Sequence, residues 1–521
     1  MTVGSWAWVF MPLCMFAMLA IGWRARRRWT SANDYLNASR SLSLWTTALA
    51  FLAYNCGSIE VMGMSAMAAQ YGVQALHFYW IGGVPGMIFL ALVVVPIYMR
   101  TGANSLPEYL GMRFGPRVRL LNACTALVGT ICYSGVALYT LAQVLNVILG
   151  WRFFAGGIAC GAVVLIYALS GGARGSIFTS VFQLGVMVAG LIPLLLLTMH
   201  RGGLNWARRP ERWHLWKPLP LVSPHAPLDC AGVLVGLGFV ISFSYWCTDF
   251  VMIQRALAAR SAEAARKAPL LAAFGKMGIP FLIVVPGAAA PALLHGRFSF
   301  DQTMPALMML EYGPALLALG AAALLAGLMA WLAGNVSGFC ALWVGEIYRI
   351  RIRPGRSEKH YIRAGQLAVS VCLVLGQLVA FATFHFQDMM EFLQLIAALF
   401  YVPIFAIVLC GMMSRRSSER GAFIGICGGT GAGLLLQTAV WTHVVRFGSQ
   451  MNANFYEAML CFTVGSCLCL GMRKSGELDI SNCGGGLLHG DLWRELRPSS
   501  SVVLLSAVLL VVCILLNVLW W

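Results

Sequence analysis

"SLWTTALAFLAYNCGSIEVMGMSAMAA", Ser43 to Ala69, is the stretch on which the fold turns. Both ends are apolar enough to lie in a bilayer, yet the middle gathers Asn55, Gly57, Ser58 and Glu60. A lipid-facing helix gains nothing from such a centre. The pattern reads as a helix broken at mid-depth, which survives only where it lines a cavity or the protein interior. Further along, "GVLVGLGFVISFSYWCTDFVMIQRALAAR", Gly232 to Arg260, repeats the design with Ser242, Ser244, Thr248 and Asp249. Two interrupted apolar segments in corresponding places point to an inverted-repeat carrier, whose half-helix ends hold substrate and coupling ions.

Composition agrees. Of 521 residues, 60% are hydrophobic and 11% are charged, where a soluble chain carries roughly 25% charged residues. Apolar runs long enough to cross a bilayer recur along the chain. About fourteen spans are expected, near 4–23, 42–68, 75–100, 117–149, 153–169, 176–199, 231–255, 268–294, 313–345, 363–385, 388–413, 420–446, 456–472 and 500–521. The fold class is thus an all-α polytopic membrane protein with an inverted five-plus-five helix repeat. The divisions are an extra span and basic loop (1–41), a first repeat (42–199), a second, inverted repeat (231–413) and three further spans (414–521).

The net charge of +17 is read as loop charge rather than as a nucleic-acid surface, because basic residues collect in cytoplasmic loops. "RARRR", Arg24 to Arg28, follows the first apolar run, so that run exits into the cytoplasm. This places both termini outside, in a cytoplasmic membrane of bacterial type. The sixteen cysteines lie mostly inside apolar runs without a Cys-x-x-Cys pair, and read as buried thiols. No metalloprotease or phosphate-loop motif occurs, so an enzyme is not expected. Neither an organic cofactor nor an obligatory protein partner is expected; the partners are the lipid bilayer and a small solute.

The residues resemble the sodium:solute symporter family, which includes sodium/galactose and sodium/proline carriers. The resemblance rests on "SANDYLNASRSLSLW" (31–45), "NSLPEYLGMRFGPRVR" (104–119), "IYALSGGARGSIFTSVFQ" (166–183), "YWCTDFVMIQRALAARSAEAARKAPLLAAFGKMGIPFLIVVPG" (245–287) and "GEIYR" (345–349). It implies the inverted-repeat architecture and transport of sugars, amino acids or small carboxylates with sodium. By position it implies sodium-binding carbonyls at Ala53 and Cys56, a substrate-site polar group at Asn55 and a gating ring at Tyr245 beside Trp246. It also implies substrate contacts at Lys276 and Gln394.

Five positions depart from the family. Ala330 and Trp331 stand where sodium-coupled members carry adjacent hydroxyl residues. Alanine has no side-chain ligand, and an indole N–H only donates, so neither coordinates a cation. Tyr79 and Gly82 replace the Glu and Ser of galactose carriers, with Tyr79 kept as a solute contact; Ser180 stands where many members have aspartate. Glu60 and Asp249 occupy matching places in the two broken segments. Intramembrane carboxylates mark ion or proton pathways, the alternative being that each caps a half-helix or pairs with Lys276 or Arg174. Asn335 and Ser337 offer oxygens to a displaced cation, or act as glue between helices. The expectation is a secondary transporter for a small polar solute, with sodium coupling altered to protons, shifted or lost. The other reading is a transport-inactive solute receptor or an uncoupled facilitative carrier.

Overall fold

The computed structural model describes residues 42–103, 105–202, 210–295, 298–414, 417–472 and 497–521, together with Phe16. The first expected span, the "RARRR" run and the side chain of Arg174 lie outside the described residues.

Helix α1 (Leu44–Asn55) starts on Ser43, whose side chain accepts from the Thr46 amide. It ends at Cys56, and α2 (Ser58–Tyr71) begins after Gly57. Cys56 at φ −88°, ψ 41° and Gly57 at φ −77°, ψ 174° leave the helical region, so the break expected at mid-segment is present. The segment α3 (84–101) follows and contains a π-helical turn at Leu90–Val94. Next come α4 (Leu106–Arg113), α5 (Pro116–Leu149) and α6 (Phe153–Gly202).

The second break lies between α7 (Gly232–Thr248) and α8 (Phe250–Leu257), which bend by 58°. Asp249 sits at the corner, extended at ψ 122°, and its carboxylate accepts from the Met252 amide at 2.8 Å. This is the N-cap geometry that satisfies an otherwise orphan helix-end donor. The chain continues through α9 (Ala262–Leu293), α10 (Thr303–Glu311), α11 (Pro314–Ile352), α12 (Glu358–Ala382) and α13 (Met389–Met413). Helices α14 (Glu419–Trp441), α15 (Gln450–Gly471) and α16 (Ser500–Leu519) complete it.

Among the described residues, ten helices are long and apolar enough to cross a membrane, or eleven with the bent pair. The expected count of about fourteen is not reached there. α1 has only 12 residues, and the spans expected at 153–169 and 176–199 fall in one helix, Phe153–Gly202.

The two broken segments lie together. Arg255 on α8 donates to the Ala50 carbonyl on α1 at 3.0 Å, and Leu42 pairs with Ala259 as a short parallel bridge. Helix α11 closes against α1 and α2 through small residues. A Cβ on Gly327 would press on Ser58, and one on Gly334 would come 2.8 Å from the Tyr54 ring. Both positions need glycine for close approach.

Candidate functional site

One cavity opens where the breaks meet. α1 and α2 contribute Asn55, Ile59, Glu60 and Met64; the segment before α3 adds Phe78, Tyr79 and Gly82; α5 adds Tyr133. α7 supplies Leu237, Ile241, Ser242, Tyr245 and Trp246, α9 supplies Lys276, α11 supplies Trp331, and α13 supplies Met390, Leu393, Gln394 and Ala397.

Its wall is organised by Lys276. The ammonium lies 2.9 and 3.1 Å from the two Glu60 oxygens and also donates to the Asn55 side-chain oxygen. The side chains of Lys276 and Glu60 are 7% and 11% exposed, so each charge depends on the other for compensation. Lys276 also stands over the Tyr79 ring at 5.1 Å and the Trp246 ring at 5.4 Å, distances at which an aromatic face attracts a cation. Asn55 donates in turn to the Tyr245 hydroxyl at 3.3 Å, and Trp246 donates to the Gly82 carbonyl at 3.3 Å. Glu60 lies in the first turn of α2, where the helix end favours negative charge.

Three polar atoms on this wall are buried and have no hydrogen-bond partner: the hydroxyls of Tyr79 and Ser242 and the side-chain oxygen of Gln394. Buried polar groups ordinarily find partners.

Seven of the eight anticipated solute-site residues therefore converge: Asn55, Glu60, Tyr79, Tyr245, Trp246, Lys276 and Gln394 all line the cavity. Asp249 does not. Its carboxylate is used at the helix corner, with the Tyr401 hydroxyl 3.5 Å from its other oxygen. Sequence reasoning passed over Tyr133 and Met390, whose types are ordinary in apolar helices. It also passed over Arg255, buried with its guanidinium 4.6 Å over the Tyr54 ring. An arginine inside "FVMIQRALAA" was a usable signal.

The anticipated ion position is different. Ala53 and Cys56 lie at the end of α1, both buried, so their carbonyls remain at the break. On α11, between the close approaches of Gly327 to Ser58 and Gly334 to Tyr54, Ala330 offers only a methyl group. The Trp331 ring lies 6.5 Å from Tyr54, stacked on it, and 5.8 Å from Tyr133, tilted against it. Asn335 donates to the Trp331 carbonyl of its own helix at 3.0 Å, and Ser337 is half-buried outside the cavity wall. A sodium ion takes hard oxygen ligands; a methyl group and an indole do not supply them. Ala330 and Trp331 thus supply no ligand to the ion, while the side-chain oxygen of Asn335 is buried without a hydrogen-bond partner.

A largely apolar cavity with a few convergent polar groups, at the meeting of two broken helices and with an intramembrane ion pair in its wall, is the architecture of a membrane carrier. The sodium:solute symporter family model matches residues 35–429. The chain belongs to that family, and is a secondary transporter rather than an enzyme. It is 25% identical to a sodium/glucose cotransporter of Vibrio parahaemolyticus, over 76% of this chain and 78% of that one. It is 27% identical to a human sodium/iodide cotransporter, over 92% of this chain and 75% of that one. Among solved structures it is similar to a substrate-bound, outward-open sodium-coupled sialic acid symporter, with a TM-score of 0.76 and 17% identity. That likeness covers 91% of this chain and all of the other, and is one of fold.

Proposed function

We propose that this chain carries a small, polar, uncharged or zwitterionic solute across the membrane by alternating access, with coupling that does not rest on the usual sodium site. The observation that carries the solute reading is the closure of Lys276 onto Glu60 and Asn55. The ammonium is already compensated, so an anion would have to displace Glu60. The groups left open are the Tyr79 and Ser242 hydroxyls and the Gln394 oxygen. They suit a ligand with several hydroxyl or amide groups, and the surrounding rings suit its apolar face.

The coupling reading rests on Ala330 and the packed Trp331 ring. Sodium is the coupling ion of the family, and here it must bind elsewhere, be replaced by protons, or be dispensed with. Purified protein in proteoliposomes tests both parts. Counterflow is expected with neutral sugars or zwitterionic amino acids and to be weaker with sugar acids. Uptake is expected to persist without sodium. A solute whose uptake requires sodium through Ala53 and Cys56 would overturn the coupling reading, and exclusive transport of carboxylates would overturn the solute reading.

A further inference from the structure

We propose that the seam between α5 and α12, at the end of the bundle where both helices begin, is a binding site for the headgroup of an anionic phospholipid. The two helices run parallel and close together. A Cβ on Gly135 would meet the Val379 side chain at 2.6 Å and the Gly376 carbonyl at 2.8 Å, and Ser134 lies against Cys372. These contacts fall about equally far from Pro116 and Glu358, so the two helices start at the same depth.

Each helix shows lipid an apolar stripe. On α12 it is Leu367, Val371, Val374 and Leu378, 43–67% exposed; on α5 it is the exposed Cys124 and Val128. Following either stripe back by helical steps reaches a cation at the helix start: Arg363 and Lys359 on α12, Arg117 on α5, all exposed. From Arg363 to Leu378 is 15 residues, about 22 Å of rise, which puts Arg363 at headgroup depth below the acyl chains.

The turn before α12 joins the two sides. "YRIRIRPGR", Tyr348 to Arg356, alternates arginine with isoleucine. Arg351 donates to the Pro116 carbonyl at 3.0 Å, pinning the turn to the start of α5. Tyr361 fixes its shape, donating to the Arg353 carbonyl and accepting from the Arg356 amide. Ile350 and Ile352 are 46% and 48% exposed between exposed arginines. Water alone gives no reason for that pairing, and the boundary between headgroups and acyl chains does.

Nearby acids are committed. Glu346 is held by Arg119 at 2.7 Å and by the Ser105 hydroxyl, Glu358 faces Arg349 at 3.4 Å, and Glu419 accepts the Arg117 amide. Among the described residues, no carboxylate lies within ion-pair distance of Arg351, Arg353, Arg356, Lys359 or Arg363. A phosphodiester oxygen supplies the missing acceptor. The apolar stripes above and the isoleucines between require that it carry acyl chains, which separates a lipid from free phosphate.

The test uses the full chain, delipidated and reconstituted with phosphatidylglycerol or phosphatidylcholine, read by native mass spectrometry and by thermal unfolding. Wild type is expected to retain several-fold more phosphatidylglycerol than phosphatidylcholine and to unfold at higher temperature with it, both effects weakening in high salt. Arg351→Gln/Lys359→Gln/Arg363→Gln is expected to lose the preference. Arg446→Gln, at the opposite end, is expected to keep it. Equal retention of the two lipids by wild type overturns the proposal, and so does an unchanged preference in the triple variant or in Arg363→Gln alone. Displacement of the lipid by millimolar inorganic phosphate would assign a free-phosphate site instead.

Discussion

Lys276 shows how much a single residue can disclose. A lysine well inside an apolar run has to be paired, and of Glu60 and Asp249, the partners open to it in the sequence, the fold brings Glu60, with Asn55 beside it. Removing one member leaves the other charged and buried, a loss of about 3–5 kcal/mol. Glu60→Gln and Lys276→Met are each expected to lower the thermal unfolding midpoint and to cut counterflow at least about tenfold, a loss of about 1.4 kcal/mol in transition-state or solute binding. The double variant is expected to regain much of the stability and none of the transport. Unaffected transport in either single variant would remove the pair from the solute site. Trp331 is read the same way. Ala330→Ser/Trp331→Ser puts back on α11 the hydroxyl pair that the family resemblance implies, and sodium-stimulated uptake is the expected gain. Loss of the ring costs about 3–5 kcal/mol, so uptake is normalised to folded protein and Ala330→Ser is run beside it. Uptake indifferent to sodium in both would mean that more than two hydroxyls separate this site from a sodium site.

The elements were legible wherever hydropathy alone decides them. Both breaks fall where polar residues interrupt an apolar run, at Cys56–Gly57 and at Asp249. The role of Asp249 was not legible, because a carboxylate at a break serves equally as an ion ligand or as a cap, and only the backbone angles separate the two. The α7–α8 corner places its carboxylate on the Met252 amide, so its work is to hold the bend. Asp249→Asn keeps an acceptor at the cap and is expected to be nearly neutral, whereas Asp249→Ala is expected to cost about 0.5–2 kcal/mol. Thermal unfolding of the two variants side by side measures this. Equal and large losses in both would return the negative charge to a functional role. The count of about fourteen is not reached among the described residues, in part because half-helices such as α1 are too short to register as crossings, though they build the cavity.

At the scale of the whole molecule, the sequence showed the charged and polar groups of the cavity but not the packing that brings distant segments to its rim. Asp301, between α9 and α10, was unremarked because an aspartate in a loop is ordinary. In the fold it is buried, its carboxylate accepting from the Met389 amide at the start of α13 at 2.9 Å and from the Tyr139 hydroxyl of α5 at 2.8 Å. Asp388, the N-cap of α13, is buried beside it. Burial pushes the Asp301 carboxyl up to about 6, and burial together with the charges of Glu391 and Asp301 raises that of Asp388. An acid whose folded value lies above its unfolded value binds more protons in the native state across the interval between the two. Stability then rises as pH falls through that interval. For Asp301 the interval runs from 3.8 to about 6, so its contribution is full below 3.8 and is lost as pH rises through 6. Asp301 joins α13, which carries Gln394 and Met390 in the cavity wall, to α5, so protonation is expected to stabilise the packing at that rim by removing a buried charge, although the two hydrogen bonds themselves favour the ionised form. Thermal unfolding of wild type against Asp301→Asn, from about pH 8 to pH 4, isolates the effect. Asn keeps an acceptor for Met389 and an amide for Tyr139, and so stands in for the protonated acid. The difference in midpoint between the two is expected to change across pH 6 to 4 and to be flat above pH 7; a constant difference throughout would mean that Asp301 titrates as an ordinary exposed aspartate and does not link pH to the rim.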